Sequence, residues 1–161
     1  MSSAADKPCI GAMILTPAVS LNYAKRFLHA GEEQWFSRGD RPCVVDVRGV
    51  RVGMAICADT NHAVHAIEAA DDGASIYAAS VFFAERGYSA DTERVQRYAA
   101  KHAMVVIMTN YGAPTGGVES AGRSAIGDDS GSLLAEASCT GQALVVATRE
   151  RSRWSGRTVQ A

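Results

Sequence analysis

The sequence predicts an α+β domain built on a mixed sheet. Three observations carry that expectation. Strand and helix patterns alternate between residues 50 and 110. Two runs there, VRVGMAIC (50–57) and MVVIMTN (104–110), are apolar almost throughout, as strands covered on both faces are. A turn at Arg48-Gly49 joins CVVDV (43–47) to the first of these runs as a hairpin. Strand–helix–strand order implies βαβ crossovers. The 161 residues suffice for one domain with a sizeable core.

The elements follow in chain order. IGAMIL (10–15) reads as a buried strand closed by Thr16-Pro17, and residues 21–41 as an irregular polar connection. After the hairpin, Ala63, Val64, Ala66, Ile67 and Ala70 fall at helical spacing, so a helix is expected over 61–71 with Asn61 as its N-cap and Gly73 beyond its end. ASIYAASVF (74–82) is the next strand. A second helix is expected after a cap at Ser89, with Val95, Tyr98, Ala99 and His102 on its apolar face. MVVIMTN leads into the glycine-rich YGAPTGG. GRSAIGDDSGSLLAEA (122–137) reads as two strands around a tight Asp-Asp-Ser-Gly turn, and QALVVATR (142–149) as a last strand. The expected organisation is a disordered leader (1–8), one domain (9–149) and a tail (150–161).

Composition excludes several classes. Sixteen basic and seventeen acidic residues leave a net charge of −1, without the basic footprint a nucleic-acid partner demands. No apolar run reaches the ~18–20 residues that span a bilayer, so no membrane role is expected. MSSAADKP lacks the apolar core of a secretion signal. Cys9, Cys43, Cys57 and Cys139 are scattered, with no CxxC pair. That argues against a metal site or a disulfide framework and makes a reducing cytoplasm the default location.

The chemistry concentrates at GMAICADTNHAVHAIEAADDGA (53–74). Cys57 ends an apolar strand just before a helix pattern. A thiol there feels the positive end of a helix dipole, which favours thiolate, and N–H groups after it can meet a developing oxyanion. In isolation such a cysteine packs more often than it reacts. Asp59 fits a structural hydrogen-bonding role near the helix start, and His62 is the histidine that could approach a pocket there.

The upstream spacing changes the balance. Y-x-K-R-x-L at 23–28, a glutamate eight residues after the lysine, and I-C-x-D thirty-two residues after it resemble the carbon–nitrogen hydrolase, or nitrilase, superfamily. The resemblance runs from about Cys9 to about Arg149 and includes GAS (73–75), TNYG (109–112) and the 122–137 hairpin. It implies a partial four-layer αββα sandwich and a cysteine that attacks a small amide or nitrile, forming a thioester or thioimidate that water later hydrolyses. Cys57 falls on the nucleophile, Lys25 on the lysine that stabilises the tetrahedral intermediate, and Glu33 on a second glutamate beside that lysine. Only spacing selects Glu33 over its neighbour Glu32, which could equally cap or solvate the loop. No metal or organic cofactor is implied. Homo-oligomers are implied, through the helices at 61–71 and 89–102.

Two departures qualify the resemblance. The family's general base is a glutamate well before the lysine, whereas the 24 residues before Lys25 contain none. Family domains run to about 250 residues, within the range of single layered domains, so the chain resembles the C-terminal two thirds with the first third absent. Exposed sheet edges and doubtful turnover are the expected consequences. Second, Ala58 stands where many relatives carry a large aromatic. Two other readings remain open: a catalytically silent fragment or oligomerisation module of the same fold, and a cysteine hydrolase of the isochorismatase-like type.

Overall fold

The computed structural model describes residues 7–17, 20–138 and 140–160. Asp6, the rest of the leader up to it, and Cys139 lie outside the described residues.

The central sheet has six strands in the order β3 (Val44–Val47), β4 (Val50–Ile56), β5 (Ile76–Val81), β6 (Val105–Asn110), β7 (Ala125–Gly127) and β8 (Leu133–Glu136). β4, β5 and β6 run parallel and the remaining neighbours antiparallel. The two parallel pairings are closed by the crossover helices α1 (Ala63–Asp71) and α2 (Tyr88–His102). The mixed sheet and its crossovers are therefore as the sequence predicts.

Both helices cover one face. Their buried Ala66, Ala69, Val95, Tyr98 and Ala99 pack on Ala55, Tyr77, Ala79, Val81, Val106 and Met108. Small side chains set the spacing at α1. A Cβ on Gly53 would stand 2.9 Å from the Ala69 methyl, so the helix lies close against β4. The opposite face carries a second cluster, in which Ile14, Tyr23 and Val45 pack with Leu21, Val52, Met54 and Ile56. It is roofed by a hairpin of β1 (Gly11–Leu15) and β2 (Ser20–Ala24). Helices, sheet and hairpin make three stacked layers of the αββα plan.

Alternation explains the hairpin's two faces. Ile14 and Tyr23 turn inward, while Met13 and Leu15 are 77% and 71% exposed on the outer side. All of β2 but Ser20 falls in the segment 21–41 that reads as irregular in sequence. Its residues, SLNYA, contain one inward aromatic and too little alternation to announce a strand. The second difference is at the other end. Residues 153–160, expected as tail, form β10 (Arg153–Gln160), which pairs antiparallel with β9 (Ala143–Glu150) along its whole length. β10 also lies against β8, where a Cβ on Gly156 would meet the Leu134 carbonyl oxygen at 2.2 Å.

The tight turns follow local chemistry. Arg48 and Gly49 both take positive φ, 55° and 83°, as a two-residue hairpin requires. Asp128 Oδ1 accepts the N–H groups of Ser130 and Ser132 and the Ser130 hydroxyl, closing the β7–β8 turn. Gly73, φ 78°, follows α1 as expected. The helix starts differ from the expected caps. His62 is the N-cap of α1, and Asn61 instead accepts a bond from Arg94 of α2. α2 begins at Tyr88 after Gly87, so Ser89 lies inside it.

No described helix is long and apolar enough to cross a membrane.

Candidate active site

β4 ends at the carboxyl edge of the parallel strands, where open α/β sheets form their ligand crevices. Ile56 is still extended; Cys57 then turns to φ 46°. A non-glycine residue there carries roughly 1–3 kcal/mol of backbone strain. The cysteine is free and half-buried. Residues Cys57–Asn61 form a 3-10 turn, fastened by the Thr60 hydroxyl donating to the Cys57 carbonyl at 2.8 Å. The helix pattern expected from Asn61 thus begins at Ala63, and a separate turn stands between Cys57 and the N-terminus of α1.

Asp59, fully buried, holds this turn in place. Its Oδ2 accepts the Ile56 N–H at 2.9 Å and the Tyr23 hydroxyl at 2.7 Å. Its Oδ1 accepts the N–H groups of Arg26 and Phe27 at 3.0 and 2.9 Å. The residue before Cys57 and the two residues after Lys25 therefore share one carboxylate. That is how the chain brings the Lys25 segment to the Cys57 turn across about thirty residues of sequence.

Lys25 is only 1% exposed. Its backbone N–H donates to the Ile10 carbonyl and its carbonyl accepts from Gly39, both at 2.8 Å. A Cβ on Gly39 would stand 2.2 Å from the Ala24 carbonyl oxygen, so this close approach requires glycine. The ammonium donates to Glu32 Oε2 at 2.6 Å. Burial opposes ionisation of Glu32, but the bonds from Lys25 and from the His29 N–H outweigh it and hold its carboxyl below the ordinary range.

The resemblance puts Glu33 beside the lysine; in the structure the ammonium bonds its neighbour Glu32 instead. Glu33 is exposed; its carboxylate accepts the Gly31 N–H at 2.8 Å, and its carbonyl accepts Lys7 Nζ. The two glutamates lie in a short 3-10 turn, Glu32–Gln34, which directs adjacent side chains apart. Glu32 faces the lysine and Glu33 the solvent.

A chain of buried polar groups backs Asp59. The Tyr23 hydroxyl has one proton and gives it to Asp59, so His65 Nε2–H must donate to the Tyr23 oxygen at 2.8 Å. His65 Nδ1 is then the acceptor for the Tyr77 hydroxyl at 2.9 Å. Burial depresses the His65 pKa, with Asp59 opposing, so the imidazole is neutral. Both ring nitrogens are engaged, which leaves His65 no place as a base. His62 stacks on Phe27, ring centres 4.0 Å apart, at the edge of the same junction. Arg26 adds an ion pair to Glu68 of α1. This network was not found from sequence; the pairing of Tyr23 and Asp59 thirty-six residues apart has no local signature.

Asn110, at the end of β6, is a structural residue. Its amide accepts the Phe83 N–H and donates to the carbonyls of Phe83 and Gly122, tying three loops together. No group of His, Cys, Asp and Glu among the described residues is placed to hold a metal ion.

The sequence matches the carbon–nitrogen hydrolase family over residues 8–157, and the chain belongs to that family. No curated protein sequence matches it significantly. Among solved structures, an amidase from Nesterenkonia sp. matches at TM-score 0.68 and 24% identity, over 73% of this chain and 46% of the amidase. A branch 10 member of the nitrilase superfamily from Saccharomyces cerevisiae matches at TM-score 0.68 and 20% identity, over 75% of this chain and 45% of its own. A variant of the Nesterenkonia amidase with the acetamide moiety of fluoroacetamide added at its active-site cysteine matches at TM-score 0.66 and 22% identity, covering 75% of this chain and 47% of that one. The chain thus spans slightly less than half the length of these enzymes, and at these identities the likeness is one of fold.

Two predictions follow from the geometry. Glu32→Gln leaves the buried ammonium without its counter-charge and should cost about 1–3 kcal/mol in urea unfolding, whereas Glu33→Gln should change stability by less than about 0.5 kcal/mol. The second concerns acid. His65 is held neutral when folded, so the unfolded chain takes up its proton first, and stability should begin to fall below the ordinary histidine value of 6.5. The carboxyls of Glu32 and Glu68 are held below the ordinary 4.5, so their stabilisation is complete above that value and is lost as pH falls through their folded values. Urea midpoints measured from pH 8 to pH 3 should show both stages, and His65→Gln should remove the first.

Proposed function

We propose that the site performs the first half of carbon–nitrogen bond hydrolysis on a small amide. The Cys57 sulfur attacks the amide carbon. The carbonyl π electrons move onto oxygen, and the ammonium of Lys25 offsets the charge that develops there. As the intermediate collapses and the C–N bond breaks, the proton given up by the Cys57 thiol passes to the leaving nitrogen; an amine or ammonia departs and a thioester remains on Cys57. Glu32, bonded to the Lys25 ammonium at 2.6 Å, aims it. The observation that carries the reading is the shared Asp59 carboxylate, which brings the Lys25 segment to the strained cysteine turn. The amidase descriptions of the matching structures support amide over nitrile.

Glu33 has no part in this reading, since its carboxylate is engaged at Gly31. The thioester needs water and a general base to clear it. One observation favours a second reading, a catalytically silent module of the same fold: Glu33, the glutamate the resemblance puts beside the lysine, faces solvent. A homo-oligomer through α1 and α2 fits either reading.

The test is incubation of the purified chain with acetamide and propionamide. The first reading predicts ammonia release or a stable acyl adduct on Cys57 by mass spectrometry, abolished by Cys57→Ala, and faster iodoacetamide labelling of Cys57 than of Cys9, Cys43 or Cys139. Equal labelling of all four cysteines, with no adduct and no ammonia, would establish the silent module.

A further inference from the structure

We propose that Asp59 is the positioning residue of this site, holding the Lys25 ammonium in reach of the Cys57 sulfur. The inference rests on the reading that Lys25 acts on Cys57, and deepens it: the carboxylate that joins the two segments also controls how strongly the ammonium acts at the sulfur. Asp59 is fully buried, yet no Lys or Arg side chain is bonded to it; its ion-pair neighbour is the neutral His65, 3.8 Å away. A carboxylate is costly to bury unless donors surround it. Here the donors come from two distant segments. The Ile56 N–H belongs to the strand that ends on the cysteine, and a bond within one turn would account for that contact alone. The other three donors come from Tyr23, Arg26 and Phe27, which bracket Lys25.

Among the described residues no other hydrogen bond joins the two segments; Phe27 and His62 meet there by ring stacking. The backbone of Lys25 itself is bonded to Ile10 and Gly39, on the hairpin side. Its side chain is bonded to Glu32, seven residues on in the same segment. The carboxylate therefore sets the register between lysine and nucleophile. Tyr23, His65 and Tyr77 extend the anchor into α1 and β5, so the junction cannot slide without breaking buried bonds. Asp59→Asn keeps the shape but turns an NH2 group toward N–H donors, and one segment must let go.

The readout is the ratio of rate constants for alkylation of Cys57 by anionic iodoacetate and by neutral iodoacetamide, measured by peptide mapping at one pH and salt concentration. A nearby cation raises this ratio, and accessibility cancels from it. Lys25→Gln should lower it about five-fold, the Boltzmann factor for one close charge in a wet site. Asp59→Asn should lower it about as much, and the double variant no further. The sign discriminates, because removing a negative charge from a site that stayed in register would raise the ratio. A ratio unchanged or raised in Asp59→Asn, with Lys25→Gln still lowering it, overturns the positioning role and leaves the Lys25 reading standing. No effect of Lys25→Gln overturns both. Should Asp59→Asn lose its cooperative urea transition, Tyr23→Phe removes one of the four bonds with the ring retained. It should lower the ratio about two-fold, and no fall there would equally overturn the proposal.

Discussion

A carboxylate with four donors around it organises this protein. Asp59 sits where the central strand β4 gives way to the turn that carries Cys57, and it is closed off from water. Each of its oxygens accepts two hydrogen bonds, and the donors come from both sides of the hydrophobic layer between sheet and hairpin. Satisfied in this way, a buried carboxylate costs little; with any donor withdrawn it becomes expensive. The apolar contacts of Ile14, Tyr23 and Val45 bring the β1–β2 hairpin onto the sheet. The polar contacts of Asp59 decide its register there.

That division between apolar driving force and polar register extends through the fold. On the helix face, alanines and one glycine let α1 approach β4, and the buried His65 of α1, bonded to Tyr77 and Tyr23, fixes its place. On the hairpin face the contact is smaller and the polar network larger. The outward Met13 and Leu15 show that this face is a layer with apolar groups on both of its sides. The chain spans slightly less than half the length of the amidase it matches.

Much of this was legible in the sequence, for identifiable reasons. β4, β5 and β6 are central strands, and their mostly apolar runs stand apart from the helix periods that lie between them. The Asp-Asp-Ser-Gly turn and Arg48-Gly49 announce themselves by residue type. β2 and β10 did not. Each belongs to a two-stranded hairpin with one face turned away from the core, so SLNYA and RWSGRTVQ carry weak alternation. Asn61 and Ser89 have the chemistry of caps, but the turns before α1 and α2 take up the positions where they would act. Cys57 and Lys25 stood out by spacing, and the structure brings their segments together. Glu33 shows the limit of spacing. A one-residue difference within a short turn decides which carboxylate meets the lysine, and no pattern of residue types records it.

The central claim is that one carboxylate couples the lysine segment to the nucleophile turn. Native-state amide hydrogen exchange tests it at the bonds themselves. In the unsubstituted chain the N–H groups of Ile56, Arg26 and Phe27 should all be protected. In Asp59→Asn the protection of Arg26 and Phe27 should fall at least ten-fold, while Ala79 and Met108 in the sheet core keep theirs. Unchanged protection of Arg26 and Phe27 in that variant would contradict the account.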